Sequence, residues 1–355
     1  MVAFSGDLAS QPCKRHHPLG GFSVPPFPPK KTRVGAAGES SDISDDGGLG
    51  SVLAGDLAAA SSSSPRGTTT PSTSAAATAV PRGFQLGVGS SYMPKKGGKL
   101  LGEDAHFISK AGNAFGVADG VGSWSRKGID AGEFARQLMS SCEAQIRRLS
   151  GGGVIGTLLQ GVLKTALAGT TARGTSTACV GAVDGPFLRV VCIGDSGFMV
   201  VRGGAVSYRS PPQQKSFNHP YQIGRVDQAD PLDSAMTFKV QLAPGDVVVA
   251  ATDGLFDNLF DEEIAALVTR KRAARSRRNA LYTARALAQA AVAAVAGGKD
   301  TPFAAASRTA GHPRTCGKCD DVTVVVLTVG ASKNSSATFC FFPNSIIIAA
   351  HTSLC

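Results

Sequence analysis

Apolar positions along the chain alternate between two patterns. Short continuous runs are what buried strands show, and a three- and four-residue spacing is what helices with one buried face show. Residues 113–118 form a short apolar run that leads straight into Asp119-Gly120, and Phe107-Ile108 is another, preceded by Glu103 and Asp104. If these two runs pair as neighbouring strands, three carboxylates share one edge of a sheet. Ala131, Phe134, Leu138, Cys142 and Ile146 then recur at helical spacing behind Asp130 and Glu133, a D-x-x-E start close to a capping box. A second helical segment, about 154–167, follows a triple-glycine break. Four short apolar runs in 176–208 are separated by Asp184-Gly185-Pro186, Gly194-Asp195-Ser196-Gly197 and Gly203-Gly204. Connections this short predict antiparallel neighbours and a β-meander, against a doubly wound parallel sheet. Residues 240–242 and 246–251 predict one more strand pair around Pro244-Gly245-Asp246, ending in Thr252-Asp253-Gly254. Helices are predicted at 261–269 and 279–296, the latter with Asn279 as N-cap and Gly297 as its stop. Last comes a β-branched run, 322–329, which reads as a core strand with Asp320 and Asp321 at its beginning. In an antiparallel pair the start of one strand lies beside the end of its neighbour. Asp119, Asp253 and Asp320 are therefore predicted to meet at one end of the molecule.

Composition changes the picture mainly at the N-terminus. The folded part is expected to begin at about Lys99, and the domain as a whole is bounded at 84–330. Residues 1–83 contain a tract of Ala, Ser, Thr and Pro at 53–83 and read as a disordered leader. Up to residue 38 the only acid is Asp7, against Lys14, Arg15, Lys30, Lys31 and Arg33, the character of an organelle transit peptide, with a plain disordered tail as the other reading. A chloroplast or mitochondrial destination is the expectation, with cytoplasm or nucleus as the other outcome. Residues 331–355 form a C-terminal tail to which no role is assigned. The chain has 355 residues, 43% apolar, and a net charge of +10, which permits an acidic partner, a phosphorylated protein or nucleic acid, and selects neither. Eight cysteines without a short-spaced ladder favour a reducing compartment, and no apolar run reaches membrane-spanning length.

Clustered carboxylates repel unless a cation holds them, which makes a divalent metal ion the natural occupant of the predicted cluster. Oxygen ligands suit Mg²⁺ or Mn²⁺ and argue against zinc. Two such ions close together can activate a water and clamp an oxyanion during in-line attack, a design for phosphoester hydrolysis without a covalent intermediate.

The ordered phrases GEDAHF, VADGVGSW, GTSTAC, IGDSGFMVV, ATDGLFDN and KCDDVTVVV resemble those of the PP2C-type metal-dependent Ser/Thr protein phosphatases. The likeness is greatest to the plant-type branch related to the mitochondrial Ptc7 phosphatases, and it covers roughly residues 90–330. GIDAGEFARQLMSS, SYRSPPQQKSFN and APGDVVVAATDGLFDNLFDEEI add to it. The resemblance implies an α+β fold, a four-layer α-β-β-α sandwich of two antiparallel sheets flanked by helices. It implies Mg²⁺ or Mn²⁺, two per subunit, with a weaker third in some relatives, and a phosphorylated protein as substrate of a monomeric enzyme. Carried across, Asp119 bridges both metals and Gly120 offers its carbonyl to one. Asp253 and Asp320 hold the second, Glu103 and Asp104 support the site, and Asp195 and Asp257 match the third position. Two departures stand out: Val121 where many relatives have a proton-donating His, and no Arg before the acidic pair. Lys95, Lys96 or Lys99 is the nearest substitute for that Arg. A catalytically weak phosphoprotein-binding or regulatory module is the alternative that these departures leave open.

Other phrases are read more plainly. Gly194-Asp195-Ser196-Gly197 imitates a protease nucleophile turn but lacks a His-containing partner, so a tight turn is expected. Cys316 and Cys319 have the CxxC spacing without a second pair to complete a zinc site, and read as surface thiols. The basic run 270–278 reads as a solvated helix end rather than a nucleic-acid site, and His219 as a loop residue.

Overall fold

The computed structural model describes residues 84–95, 101–149, 158–226, 228–272, 279–312 and 316–331. The leader, the tail beyond 331, Lys96, Lys99 and the 273–278 part of the basic run lie outside the described residues.

In chain order the strands are β1 (Gln85–Met93), β2 (Asp104–Ile108), β3 (Ala114–Asp119), β4 (Thr175–Ser176), β5 (Ala178–Asp184), β6 (Phe187–Ile193) and β7 (Gly197–Arg202). They continue as β8 (Ala205–Arg209), β9 (Gln214–Ser216), β10 (His219–Pro220), β11 (Ile223–Gly224), β12 (Met236–Gln241), β13 (Val247–Ala251) and β14 (Val322–Gly330). The helices are α1 (Ala131–Leu149), α2 (Leu159–Gly169), α3 (Asp253–Phe256), α4 (Asp261–Arg272), α5 (Asn279–Ala296) and α6 (Pro302–Thr309). Two five-stranded antiparallel sheets carry the fold, in the orders β1-β14-β13-β7-β8 and β12-β6-β5-β3-β2. Their inner faces pack on each other through Phe115, Val117, Cys179, Val190, Phe198, Val248 and Val325. Helices α1 and α2 cover the outer face of the β2–β3 sheet, and α4 and α5 the outer face of the β13–β14 sheet. The layers are thus α-β-β-α, as expected.

Why β13 and β14 read as unbroken apolar runs is clear from their parity. Val247, Val249 and Ala251 face the helices, whereas Val248 and Ala250 face the opposite sheet; Val324 and Val326 divide from Val325 and Leu327 in the same way. Both faces of each strand are dry, so nearly every position is apolar, Thr323 and Thr328 of β14 being the exceptions. Each such valine contributes about 1.5–3 kcal/mol by burial.

Three strand expectations are corrected. The runs in 176–208 are not one meander: β5 and β6 pair in one sheet, β7 and β8 in the other, and Gly194-Asp195-Ser196 crosses between them. Likewise β12 pairs with β6 while β13 pairs with β7 and β14, so the turn at 243–246 also changes sheets. A short connection can step between the layers of a sandwich as readily as between neighbours, which loop length alone does not reveal. Third, regular structure starts before Lys99: β1 lies along the whole of β14, from Gln85 opposite Gly330 to Met93 opposite Val322. Gly87, Gly89, Ser90 and Ser91 dilute its apolar pattern, as befits an edge strand. The short helices α3 and α6 had no periodic signal; α6 starts at Thr301, whose hydroxyl accepts the Ala304 N–H at 3.2 Å. Among the described residues no helix is long and apolar enough to cross a membrane.

Candidate metal centre

Strand pairing delivers the carboxylates. In the β2–β3 ladder Asp104 lies directly opposite Asp119, so both project from the same face at the same end. On the other sheet, β13 ends where Asp253 opens α3, and the antiparallel β14 begins just after Asp320 and Asp321. Ligand atoms of Asp119, Asp253 and Asp320 lie within 4.8 Å of one another, one aspartate from the first sheet and two from the second. The convergence read from strand ends is realised across the seam of the sandwich.

Both Asp-Gly pairs owe their glycine to crowding rather than to an unusual turn, since neither Gly120 nor Gly254 has a positive φ. A Cβ on Gly120 would collide with the Ala131 carbonyl, and one on Gly254 with the Asp321 carbonyl. The chain can approach these neighbours only without a side chain.

Neighbouring groups fix each aspartate. The Asp119 N–H donates to Thr177 Oγ1 at 3.1 Å, and the Asp119 carbonyl accepts from the Thr177 N–H and the Ser176 hydroxyl. Thr177 Oγ1 also lies 2.7 Å from Ser196 Oγ, tying the β3 tip to the Asp195 crossing. Asp104 Oδ2 accepts the Thr252 hydroxyl at 2.8 Å, which links β2 to the end of β13. Asp195 Oδ2 accepts from Gln214 Nε2 at 2.8 Å. Asp257 lies on the turn after α3, its N–H bonded to the Asp253 carbonyl. Gly120 follows in register, its N–H donating to the Glu103 carbonyl at 3.0 Å.

Two lysines and one aspartate join this group beyond the expected site residues. Lys318 Nζ contacts Asp253, Asp320 at 3.1 Å and Asp257 at 3.5 Å, its side chain only 17% exposed. Lys95 Nζ contacts Glu103 and reaches Asp320 at 3.4 Å, so of the three substitutes for the missing Arg it is the described one that borders the cluster. Asp321 is buried and faces away from the cluster, accepting the backbone N–H groups of Lys95, Glu103 and Asp104. A sequence signal for Lys318 existed: two residues before Asp320 in an extended segment, it falls on the same side. For Asp321 the same alternation placed it on the opposite side.

Electrostatics leave the site short of positive charge. Burial, then neighbouring carboxylates, push Asp104, Asp119 and Asp257 well above the usual carboxylate range, and Asp253 is raised for the same reason despite Lys318. Burial and the nearby Asp253 bring Asp195 up to about 6. Burial would raise Asp320 too, but the ammonium groups of Lys318 and Lys95 outweigh it and hold Asp320 below its ordinary value. Asp104 Oδ1, Asp195 Oδ1 and Asp253 Oδ1 are buried with no hydrogen-bond partner. An unmatched buried carboxylate oxygen is costly, about 1–3 kcal/mol or more each. Oxygen-only donors, several of them orphaned and three of them within 4.8 Å of one another, fit a hard divalent cation such as Mg²⁺ or Mn²⁺.

Among the lookalike phrases one expectation is corrected: His219, read as a loop residue, lies in a short strand. Gly194 adopts a φ of 92° in the sheet-crossing turn, and His219 is exposed in the short strand β10. Cys316 and Cys319 are free, half-buried and exposed respectively. Val121 donates its N–H to the Thr175 carbonyl at 3.0 Å and brings no titratable group to the cleft.

Comparison with known proteins agrees with this geometry. The sequence profile of the Protein phosphatase 2C family matches residues 97–295. The chain is 43% identical over 264 residues to "Probable protein phosphatase 2C 55" of Arabidopsis thaliana, covering 74% of this chain and 56% of that protein. It is 40% identical over 253 residues to "Probable protein phosphatase 2C 80" of the same plant, covering 71% and 60%. The chain thus spans little more than half the length of these curated relatives. Among solved structures, that of the photosystem II phosphatase PBCP superposes with a TM-score of 0.62 at 28% identity, covering 70% of this chain and all of that one. With the profile, the relatives and the sandwich in agreement, the chain is a member of the protein phosphatase 2C family, of the plant type.

Proposed function

We propose that this chain is a metal-dependent protein serine/threonine phosphatase that hydrolyses phosphoserine or phosphothreonine in a protein substrate. The observation that carries the reading is the convergence of Asp119, Asp253 and Asp320 from two sheets, with orphaned carboxylate oxygens beside them. Asp119 would be a ligand to both ions and the Gly120 carbonyl to one, Asp253 and Asp320 would hold the second, and Asp195 and Asp257 would serve a third, weaker position. When bound, Mg²⁺ or Mn²⁺ supplies Lewis acidity, making water acidic enough to attack near neutral pH and neutralising charge on the phosphoryl oxygens.

The chain's own residues do the positioning. Glu103 and the buried Asp104 lie where β2 starts beside Asp119, and Asp104 is oriented by Thr252. Lys95, about a third exposed at the edge of the cluster, is placed to meet a phosphate oxygen in place of the missing Arg. Val121 offers no proton, which leaves water as the donor to the departing serine or threonine oxygen. On this reading residues 84–330 carry catalysis as a monomer, and residues 1–83 direct the chain to a chloroplast or mitochondrion.

The test is hydrolysis of a phosphothreonine peptide by the full chain. Chelation should abolish turnover, Mn²⁺ or Mg²⁺ should restore it, and Zn²⁺ should restore it poorly. Full activity in metal-stripped protein would refute the mechanism.

A further inference from the structure

Lys318 is not accounted for by the reading above. Its backbone is clamped: the Lys318 N–H donates to Asn258 Oδ1 at 3.0 Å, and Asn258 Nδ2 donates to the Lys318 carbonyl at 2.8 Å and the Gly254 carbonyl at 2.9 Å. Asn258 is itself buried, so the loop before β14 and the α3 turn are locked together. From this fixed base the side chain reaches inward, and its ammonium contacts Asp253, Asp257 and Asp320 at once. Two of these are the aspartates assigned to the second ion. The ammonium holds Asp253 Oδ2 and Asp320 Oδ2, so an ion taking the remaining oxygens of these two aspartates would lie beside it, and the two cations would repel.

We propose that Lys318 is a built-in cation of the metal centre. Its ammonium holds the place of the second ion in the metal-free protein and must leave when that ion binds. The inference rests on the metal-dependent reading of the same site. Exchange rather than coexistence follows from the charges: without Lys318 the metal-free cluster would set Asp253, Asp257 and Asp320 against one another with only Lys95 at the edge. The displaced side chain has somewhere to go. A cavity of about 200 Å³, lined by Asp195, Phe217, Phe256, Phe303 and Arg209 among others, opens on two of these carboxylates, Asp253 and Asp257. Lys318 Nζ already lies 5.8 Å from the centroid of the Phe303 ring, whose face attracts a cation. Lys318 therefore lowers affinity for the second ion while keeping the metal-free fold intact.

The experiment is calorimetric titration of chelator-stripped full chain with Mn²⁺, alongside thermal melting with and without the ion. Lys318→Met should tighten the weaker Mn²⁺ step at least about tenfold, roughly the effect of 1.4 kcal/mol. It should also lower the metal-free melting temperature and enlarge the gain on adding Mn²⁺. Lys318→Arg, which keeps the charge, should stay close to wild type in both. Lys299→Met, which removes one positive charge from an exposed pair with Glu263, should change neither. If Lys318→Met folds only with metal, it is purified with Mn²⁺ and its affinity read by competition with a chelator. Unchanged or weaker Mn²⁺ binding by Lys318→Met, in a wild type that binds Mn²⁺ and hydrolyses phosphopeptide, overturns the role of Lys318 alone. A wild type that binds no Mn²⁺ overturns the phosphatase reading as well.

Discussion

Asp321→Asn tests whether the acidic pair at the start of β2 is positioned by a residue that never meets the substrate. Asp321 Oδ1 accepts the Lys95 N–H at 2.7 Å, while Oδ2 accepts the N–H of Glu103 and, at 3.3 Å, that of Asp104. An asparagine has one accepting oxygen, so its amide must turn a donor toward at least one set of backbone donors. Losing one hydrogen bond to a charged group and stranding its N–H costs about 2–4 kcal/mol. Against this, removing a negative charge near Asp104 and Asp320 relieves repulsion of about 1 kcal/mol. The hydrogen bonds win, and a net loss of about 1–3 kcal/mol corresponds to a melting temperature lower by about 3–8 °C for a domain of this size. Because Glu103 and Asp104 shift with their backbone, turnover should fall about 10–100-fold, the usual effect of loosening a group that orients a metal ligand. Urea denaturation and phosphopeptide kinetics at saturating Mn²⁺ measure both. Equal or greater stability with normal turnover would mean that charge relief, not backbone anchoring, governs this position.

Further outcomes follow from the same contacts. Asp119→Asn should leave the fold intact, reduce bound Mn²⁺ by at least one ion in a metal analysis, and bring turnover near background, mainly in kcat. Asp195 is raised to about 6 in the folded chain, so its contribution to stability is full below the ordinary carboxylate pKa and lost as pH rises through about 6. Metal-free Asp195→Asn should therefore be more stable than wild type above that point, by about 2–3 kcal/mol, and converge with it in acid, as read by melting curves across pH. Fused to a fluorescent reporter, residues 1–83 should carry it to a plastid or mitochondrion; a diffuse cytosolic signal would remove the targeting reading.

What could be read from the sequence was what depends on neighbours along the chain. The 3.6-residue spacing of Ala131, Phe134, Leu138, Cys142 and Ile146 marks α1, and all five are buried. The β-branched run of β14 could only be a strand dry on both sides. Asp119, Asp253 and Asp320 were visible as candidates because each follows or precedes such a strand. What could not be read depends on layers. Nothing local says that Gly194-Asp195-Ser196 leaves one sheet for the other, since the turn residues are those of a hairpin. Strand β1 escaped because an edge strand needs fewer apolar residues, and Thr252 and Asp321 because their partners lie 148 residues away in one case and 218 in the other. Lys318 was in plain view, but a lysine beside acidic residues usually indicates a surface pair.

The bonds that hold the site together are separate from the atoms that would hold an ion. Asp119 is fixed through its backbone N–H and carbonyl, by Thr177 and Ser176, which leaves its carboxylate to the cleft. Asp104 gives Oδ2 to Thr252 and keeps Oδ1 unpartnered, and Asp195 gives Oδ2 to Gln214 and keeps Oδ1. The loop bearing Asp320 is anchored by Asn258 through the Lys318 backbone and by Asp321 through the start of β2. Neutral Asp→Asn changes at Asp119 therefore act on charge without cutting an anchor, whereas Asp321→Asn cuts an anchor without touching the cleft. The two substitutions should accordingly separate: Asp119→Asn loses metal and turnover while its metal-free melting temperature near neutral pH rises, since a buried, repelled carboxylate is removed, and Asp321→Asn loses stability first. A site in which anchors and ligands were the same atoms would show both losses in both variants.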